Sequence, residues 1–216
     1  MTLSTIYAGP KRGIDRAVLL AHGAGSDMHA ATLAAVADAL AGVGIPSLRF
    51  NYPYRDAGRT SPDRAAVLDD TTREAAAELA RQTRLPPERL VLGGRSMGGR
   101  YCSLIVGAQE DPVPALGLLL LGYPLHAAGK PDQPRVEHFQ RIRVPCLFVS
   151  GTRDALAGQA ALTAAVKAIK GPVSLHRLDS ADHGYRPKRA SGRTLEDVTA
   201  EAATVCVDWV RALPAA

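Results

Sequence analysis

Gly94-Arg95-Ser96-Met97-Gly98 is the stretch that decides the fold of this chain of 216 residues. It follows an apolar run, Leu90-Val91-Leu92, and precedes a helix-compatible run, Tyr101-Cys102-Ser103-Leu104-Ile105-Val106. A G-x-S-x-G pentapeptide between a strand and a helix is typical of a nucleophile elbow, a strained turn that lifts the serine hydroxyl clear of the backbone. The flanking glycines leave room for that turn. The pattern predicts that Ser96 is a nucleophile; the other interpretation is a glycine-rich connection with an incidental serine.

Short apolar runs alternate with longer helical patterns on both sides of this stretch. The runs that we expect to be strands are 17–21, 46–50, 89–92, 115–121, 145–150 and 173–178. Such alternation indicates an α/β fold, in which a mostly parallel sheet of about six to seven strands is covered by helices on both faces. Without an internal repeat or a low-complexity linker, residues 1–216 are predicted to form a single domain.

Apolar residues that recur at steps of three and four predict amphipathic helices between the strands. The first has its apolar stripe at Leu33, Val36 and Leu40, and Ser26 or Asp27 is the expected N-cap. The remaining helices are expected from Pro62 to the prolines at 86–87, around residues 162–169, and after a Thr194 N-cap.

Two polar residues that follow late strands are the expected partners of Ser96. A serine hydroxyl is a weak nucleophile, so it needs a histidine to accept its proton and a carboxylate to orient that histidine. Asp154 follows the strand expected at 145–150 and His183 follows the strand at 173–178, which places both at the sheet edge where the strands end. The chain order serine, acid, histidine therefore predicts a catalytic triad.

The acid of this triad has other candidates. Asp154 has the place of an N-cap for a helix beginning at Ala155. Asp179 and Asp182 compete for the role from the loop that contains His183 itself. A short tether more often gives a turn hydrogen bond than a contact that orients the base, so Asp154 is preferred.

Backbone N–H groups near the serine are expected to hold the negative oxygen of a tetrahedral intermediate. One belongs to Met97, at the start of the helix after the elbow. The other belongs to Ala24, in the loop His22-Gly23-Ala24-Gly25-Ser26 that follows the strand at 17–21. These two residues form the predicted oxyanion hole.

The same loops have two further interpretations, each of which involves a cofactor. His22, Asp27 and His29 are potential metal ligands, but their spacing fits no familiar metal-binding pattern and no cysteine or glutamate completes a set. Residues 93–98 have the spacing of a P-loop without the lysine and the serine or threonine that should follow. We therefore expect no metal and no other cofactor.

Composition restricts the classes of function. The net charge is +5, yet the arginines are scattered, and the densest basic group, residues 186–193, matches no nucleic-acid-binding motif. The three cysteines are widely spaced in apolar sequence, which indicates buried thiols in a reducing compartment. No apolar stretch approaches the roughly 18 residues of a membrane span. We expect a cytoplasmic protein, a monomer or a homodimer, that binds neither nucleic acid nor membrane.

The chain resembles the α/β-hydrolase superfamily along nearly its whole length. Within it, the chain is similar to the small hydrolases related to dienelactone hydrolase and to the testis-expressed and chromatin-complex-subunit group. The resemblance lies in segments 20–27, 49–53, 93–99, 121–126, 151–154 and 182–183. It implies the α/β-hydrolase fold and hydrolase chemistry without fixing a substrate. Residues 127–143, where many relatives insert a lid, form a short segment, so we expect little or no lid.

These features predict a carboxylesterase-type serine hydrolase that cleaves ester or thioester bonds of small acyl substrates through an acyl-enzyme on Ser96. Arg95, with Arg55 or Arg59, is expected to form a positive rim that favours small or carboxylate-bearing acyl esters. The alternative is an idle, hydrolase-shaped interaction protein or complex subunit. The residues expected to contact substrate are His22, Tyr54, Arg95, Tyr123 and His126, with Tyr52 as a further wall.

Overall fold

The computed structural model describes residues 3–214, which form a seven-stranded sheet with helices on both faces. The sheet order is β1-β3-β2-β4-β5-β6-β7, in which β1 is antiparallel to β3 and every other neighbouring pair is parallel. This confirms the expected α/β architecture. The strands are β1 (Thr5–Ala8), β2 (Ala17–Ala21), β3 (Ser47–Phe50), β4 (Leu90–Arg95), β5 (Gly117–Leu121), β6 (Cys146–Gly151) and β7 (Val173–Leu178).

The edge strand β1 is the strand that the sequence pattern does not predict. It has four residues, all of them half-buried, which is too short a stretch to show a clean alternation. It pairs with β3 alone, with Thr5 opposite Phe50. The expected strand at 115–121 also begins two residues later than predicted, at Gly117.

The helices cover the sheet from both sides, and the predicted start of the first one is wrong. This helix begins at Ala31 with Ala30 as its N-cap, because the Asp27 carboxylate instead accepts a hydrogen bond from the His29 amide at 2.9 Å. Ser26 likewise lies outside the helix. The helices are α1 (Ala31–Gly42), α2 (Pro53–Asp56), α3 (Ala65–Thr83), α4 (Met97–Val106), α5 (Gln159–Ala165) and α6 (Leu195–Ala212).

Two further helix starts can be compared with the sequence. The helix α3 begins at Ala65 rather than at Pro62, so the proline lies in the loop before it. The helix α6 has the predicted Thr194 cap: its side chain accepts a hydrogen bond from the Asp197 amide, and the Asp197 carboxylate accepts one from the Thr194 amide.

Alternate residues of the central strands pack against opposite helix layers. In β4, Leu92 belongs to the apolar cluster shared with α3, α4 and α5, whereas Val91 belongs to the cluster shared with α1 and α6. The strands β2, β5 and β6 are buried throughout. A strand that is covered on both faces reads as a continuous apolar run, which is why the sequence predicts these strands well.

Three remaining expectations concern the cysteines, the membrane and the lid. Cys102, Cys146 and Cys206 are buried and unbonded, and burial raises the pKa of each thiol. In the described range 3–214, no helix is both long and apolar enough to cross a membrane. Between β5 and β6, the described chain has a single 3-10 turn, Phe139–Arg141, and otherwise irregular structure, so the expected absence of a large lid is confirmed.

Candidate active site

The elbow between β4 and α4 holds Ser96 in a strained conformation. Its backbone has φ +50° and ψ −113°, a region that non-glycine residues rarely adopt. A Cβ atom on Gly94 would lie 2.1 Å from the carbonyl oxygen of Ala21, and one on Gly98 would lie 2.3 Å from that same oxygen. Both positions therefore require glycine, because β2 passes directly against the turn.

The structure brings Ser96, His183 and Asp154 together. The Ser96 Oγ lies 2.9 Å from His183 Nε2, and His183 Nδ1 lies 2.9 and 3.0 Å from the two Asp154 carboxylate oxygens. An ionised carboxylate only accepts hydrogen bonds, so the Nδ1–H donates to Asp154 and the free Nε2 accepts from the serine hydroxyl. This tautomer is the one that a general base needs.

Asp154 is positioned by the loop between β6 and α5. It is buried, and its carboxylate also accepts a hydrogen bond from the Leu156 amide at 2.8 Å. The two competing acids are engaged elsewhere: Asp182 accepts from the Arg186 amide at 2.9 Å, and Asp179 from the Ser180 hydroxyl at 3.3 Å. Of the three candidates for the acid, Asp154 is the one that contacts the histidine.

A cleft of about 370 Å³ opens beside the serine and includes both residues expected to form the oxyanion hole. Ala24 and Met97 line it together with Ser96. Met97 is the first residue of α4, where a helix leaves its N–H groups without intrahelical partners. The loop that carries Ala24 passes close to the elbow, since a Cβ atom on Gly23 would lie 3.5 Å from the Ser96 Cβ.

Arg95 holds the histidine loop instead of forming a positive rim. Its guanidinium donates hydrogen bonds to the carbonyl oxygens of His183 and Leu121 and lies 4.4 Å from the centre of the Tyr185 ring. The Tyr185 hydroxyl in turn donates to the Val149 carbonyl at 2.9 Å. The expected substrate contact of Arg95 is therefore replaced by a contact to the backbone of His183.

His22 is a structural residue of the same edge rather than a wall of the cleft. It is fully buried; its Nδ1–H donates to the Gly23 carbonyl at 2.8 Å, and its Nε2 accepts from the Tyr52 amide at 3.2 Å. Burial lowers the pKa of this imidazole. Because both ring nitrogens are occupied by backbone groups, the ring can neither bind a metal nor touch substrate in this conformation.

The expected tyrosine walls are also corrected by burial. Tyr52 and Tyr54 have no exposed surface and Tyr123 has 1%, so these rings cannot contact a substrate. The Tyr123 hydroxyl donates to the Arg135 carbonyl at 3.4 Å, and burial raises its pKa to about 12. His126 is the residue of this group that does line the cleft, and its Nδ1 bonds the Ala127 carbonyl at 2.9 Å.

The cleft has a different set of arginines from the one expected. Arg55 pairs with Asp27 at 3.4 Å and Arg59 with Asp63 at 2.6 Å, so these positive charges are balanced. Arg100 and Arg135 line the cleft instead. The sequence does hold a signal for Arg100, because it lies four residues after the serine and thus on the same side of the helix.

Comparisons with known proteins agree with the fold. A family model described as an alpha/beta hydrolase domain matches residues 14–211. A serine hydrolase without lid from Xanthomonas campestris is similar in structure, with a TM-score of 0.67 and 22% identity over 98% of this chain and 91% of that one. A monoacylglycerol lipase from Paleococcus ferrophilus has a TM-score of 0.70 and 16% identity over 99% of this chain and 100% of that one. Dienelactone hydrolase from Anabaena variabilis has a TM-score of 0.67 and 19% identity over 98% of this chain and 93% of that one.

Proposed function

This chain belongs to the alpha/beta hydrolase domain family, and from that premise we propose that it is a serine hydrolase that cleaves ester or thioester bonds of small acyl substrates. The observation that carries the proposal is the continuous chain of contacts from the Ser96 hydroxyl through His183 to the Asp154 carboxylate. Structural proteins rarely keep a strained serine within hydrogen-bond distance of a correctly oriented imidazole. The geometry therefore supports catalysis better than an idle site.

The reaction follows from the roles of these groups. As the Ser96 oxygen attacks the acyl carbon, its proton passes to Nε2 of His183, and Asp154 stabilises the imidazolium that forms. The carbonyl oxygen becomes negative and accepts hydrogen bonds from the N–H groups of Ala24 and Met97. Collapse of this intermediate expels the leaving group, which takes the proton from His183.

The second half of the reaction releases the acyl group. Water attacks the ester carbon of the acyl-enzyme while His183 again accepts a proton, and the acid departs as Ser96 regains its hydrogen. The small size of the cleft favours short acyl groups. Since the described segment between β5 and β6 forms no large lid, substrates reach the serine directly from solvent.

A fluorophosphonate probe tests this proposal directly. We expect the folded protein to be labelled at Ser96, and Ser96→Ala to lose labelling and at least about a thousandfold in ester turnover. The matched control is Ser174→Ala, since Ser174 is an exposed serine on β7 far along the chain from the elbow. If Ser96→Ala were still labelled and active, the nucleophile would lie elsewhere; if the wild type were inert to probe and esters, the idle interpretation would be preferred.

A further inference from the structure

Two arginines line the cleft beside Ser96 and have no acidic partner. Arg100 belongs to α4, and its amide donates to the Ser96 carbonyl at 3.0 Å, so the two residues are separated by one helical turn. Arg135 belongs to the segment between β5 and β6. Within residues 3–214, neither guanidinium takes part in an ion pair. The cleft is therefore bordered by two arginines without an ion pair, of which Arg100 also borders a neighbouring depression that holds Asp69 and Asp70.

Arg100 is also incompletely hydrogen-bonded. Its Nε is buried and has no hydrogen-bond partner among residues 3–214, although a buried donor of this kind is costly to leave unsatisfied. Its guanidinium lies 5.7 Å from the centre of the Tyr101 ring, a contact that does not satisfy the N–H groups. The nearby Asp69 is engaged by Arg73 at 2.8 Å.

Among the described residues that line the cleft, the one carboxylate is already paired with another arginine. Asp63 accepts hydrogen bonds from the Arg59 guanidinium at 2.6 Å and from the Tyr54 amide at 2.8 Å. Both of its oxygens are therefore occupied by other donors. An anion that entered the cleft would meet two arginines and one carboxylate that is already paired.

The position of the cleft indicates which part of a substrate enters it. The leaving group must receive its proton from His183, so it has to lie on the histidine side of the serine. The cleft lies on the other side: it is lined by the expected oxyanion donors Ala24 and Met97, and no residue of the described histidine loop, 179–189, borders it. The cleft is therefore the acyl side of the site.

We propose that Arg100 and Arg135 bind a carboxylate at the far end of the acyl chain, so that the preferred substrates are monoesters of short dicarboxylic acids. This inference rests on the proposed function, because it concerns specificity at the same serine. A guanidinium presents several N–H donors in the plane of a carboxylate, and such charge-assisted bonds are stronger than neutral ones.

The test compares two esters that differ in one charged group. Mono-4-nitrophenyl glutarate and 4-nitrophenyl pentanoate have acyl chains of equal carbon number, and only the first ends in a carboxylate. The ratio of their kcat/KM values is measured at low and high salt for the wild type, Arg100→Gln and Arg135→Gln. Arg143→Gln is the matched control, because Arg143 is exposed and precedes β6, at the opposite end of the sheet from the serine.

The wild type is expected to favour the glutarate ester at least about tenfold, since charged hydrogen bonds to a ligand typically exceed that factor. In Arg100→Gln and in Arg135→Gln this ratio should fall several-fold, mainly because the KM for the glutarate ester rises. Added salt should also lower the ratio in the wild type. Arg143→Gln should keep the wild-type ratio. Melting temperatures identify any variant that fails to fold, and the exposed Arg135 provides a second test if Arg100→Gln is unstable.

Two results would overturn the inference in different ways. The carboxylate site would be rejected if the wild type had equal kcat/KM for both esters, or if its preference survived in both variants. Ser96-dependent turnover of the pentanoate ester would in that case still support the hydrolase function. Absence of turnover for both esters together with failure of the fluorophosphonate probe to label Ser96 would reject the function, and the inference with it.

Discussion

Replacing Arg95 by methionine tests whether the contacts on the histidine loop position the general base. Methionine keeps an unbranched chain that can still cover the Tyr185 ring, but it removes the hydrogen bonds to the carbonyl oxygens of His183 and Leu121. The Ser96, His183 and Asp154 side chains themselves are unchanged. Any loss of rate would therefore come from the placement of the imidazole.

The expected magnitude follows from the contacts that are lost. A hydrogen bond from a charged group contributes about 1.5–3 kcal/mol, and the contact of a guanidinium with an aromatic ring about 0.5–1 kcal/mol at a partly exposed site. Arg95 is half-buried, and we count only its hydrogen bond to the His183 carbonyl, so the free energy lost at the base is about 1.5–3 kcal/mol. Every 1.4 kcal/mol that this adds to the barrier slows the reaction tenfold, so kcat should fall about 10- to 100-fold.

The assay is the rate of fluorophosphonate labelling of Ser96, together with kcat and KM on a neutral 4-nitrophenyl ester. A misplaced base lowers kcat and the labelling rate and leaves KM nearly unchanged, whereas general unfolding would lower the active fraction and the melting temperature. Arg95→Lys should recover part of the rate, and Arg186→Met, which removes an exposed arginine of the same loop, should have little effect. If Ser96 of Arg95→Met were labelled at the wild-type rate, the role of Arg95 in positioning the base would be refuted.

Two further predictions concern stability. Burial lowers the pKa of His138 to about 4, whereas a histidine of the unfolded chain has a pKa near 6.5. Between pH 6.5 and pH 4 the unfolded chain therefore binds a proton that the native protein excludes. The free energy of unfolding is highest above about pH 6.5 and falls by up to about 3 kcal/mol towards pH 4. Urea unfolding should show this loss, and His138→Gln should flatten it; an unchanged slope would contradict the assignment. Gly98→Ala should cost about 3 kcal/mol or more or prevent folding, because the new Cβ would lie 2.3 Å from the Ala21 oxygen. Gly42→Ala, where a Cβ meets nothing within 4 Å, is its control, and equal melting temperatures would be inconsistent with the clash.

The sequence predicts the parts of the molecule that follow from strong local patterns. The buried strands β2 and β5 are nearly continuous apolar runs, and the elbow lies between a strand and a helix as its glycines indicate. The positions of Asp154 and His183 follow from the rule that the carboxyl ends of parallel strands meet at one edge. These features depend on few competing interactions, so a single sequence is sufficient to predict them.

The remaining features depend on tertiary contacts that no local pattern contains. Tyr54 lies in the short helix α2 and Tyr123 in the loop after β5, and neighbouring elements cover both rings. From the sequence, Arg95 could face the substrate. In the fold, its guanidinium instead contacts the histidine loop, which lies almost ninety residues later in the chain. Asp27 is similarly diverted from helix capping by the His29 amide and Arg55.

The positive φ of Ser96 sets folding stability against the presence of a side chain at this turn. A residue held in that region destabilises the native state by about 1–3 kcal/mol, and glycine at the same position would relieve much of that strain. Ser96→Gly is therefore expected to raise the melting temperature while it removes the hydroxyl, so that folding stability and the reactive group oppose each other at this turn.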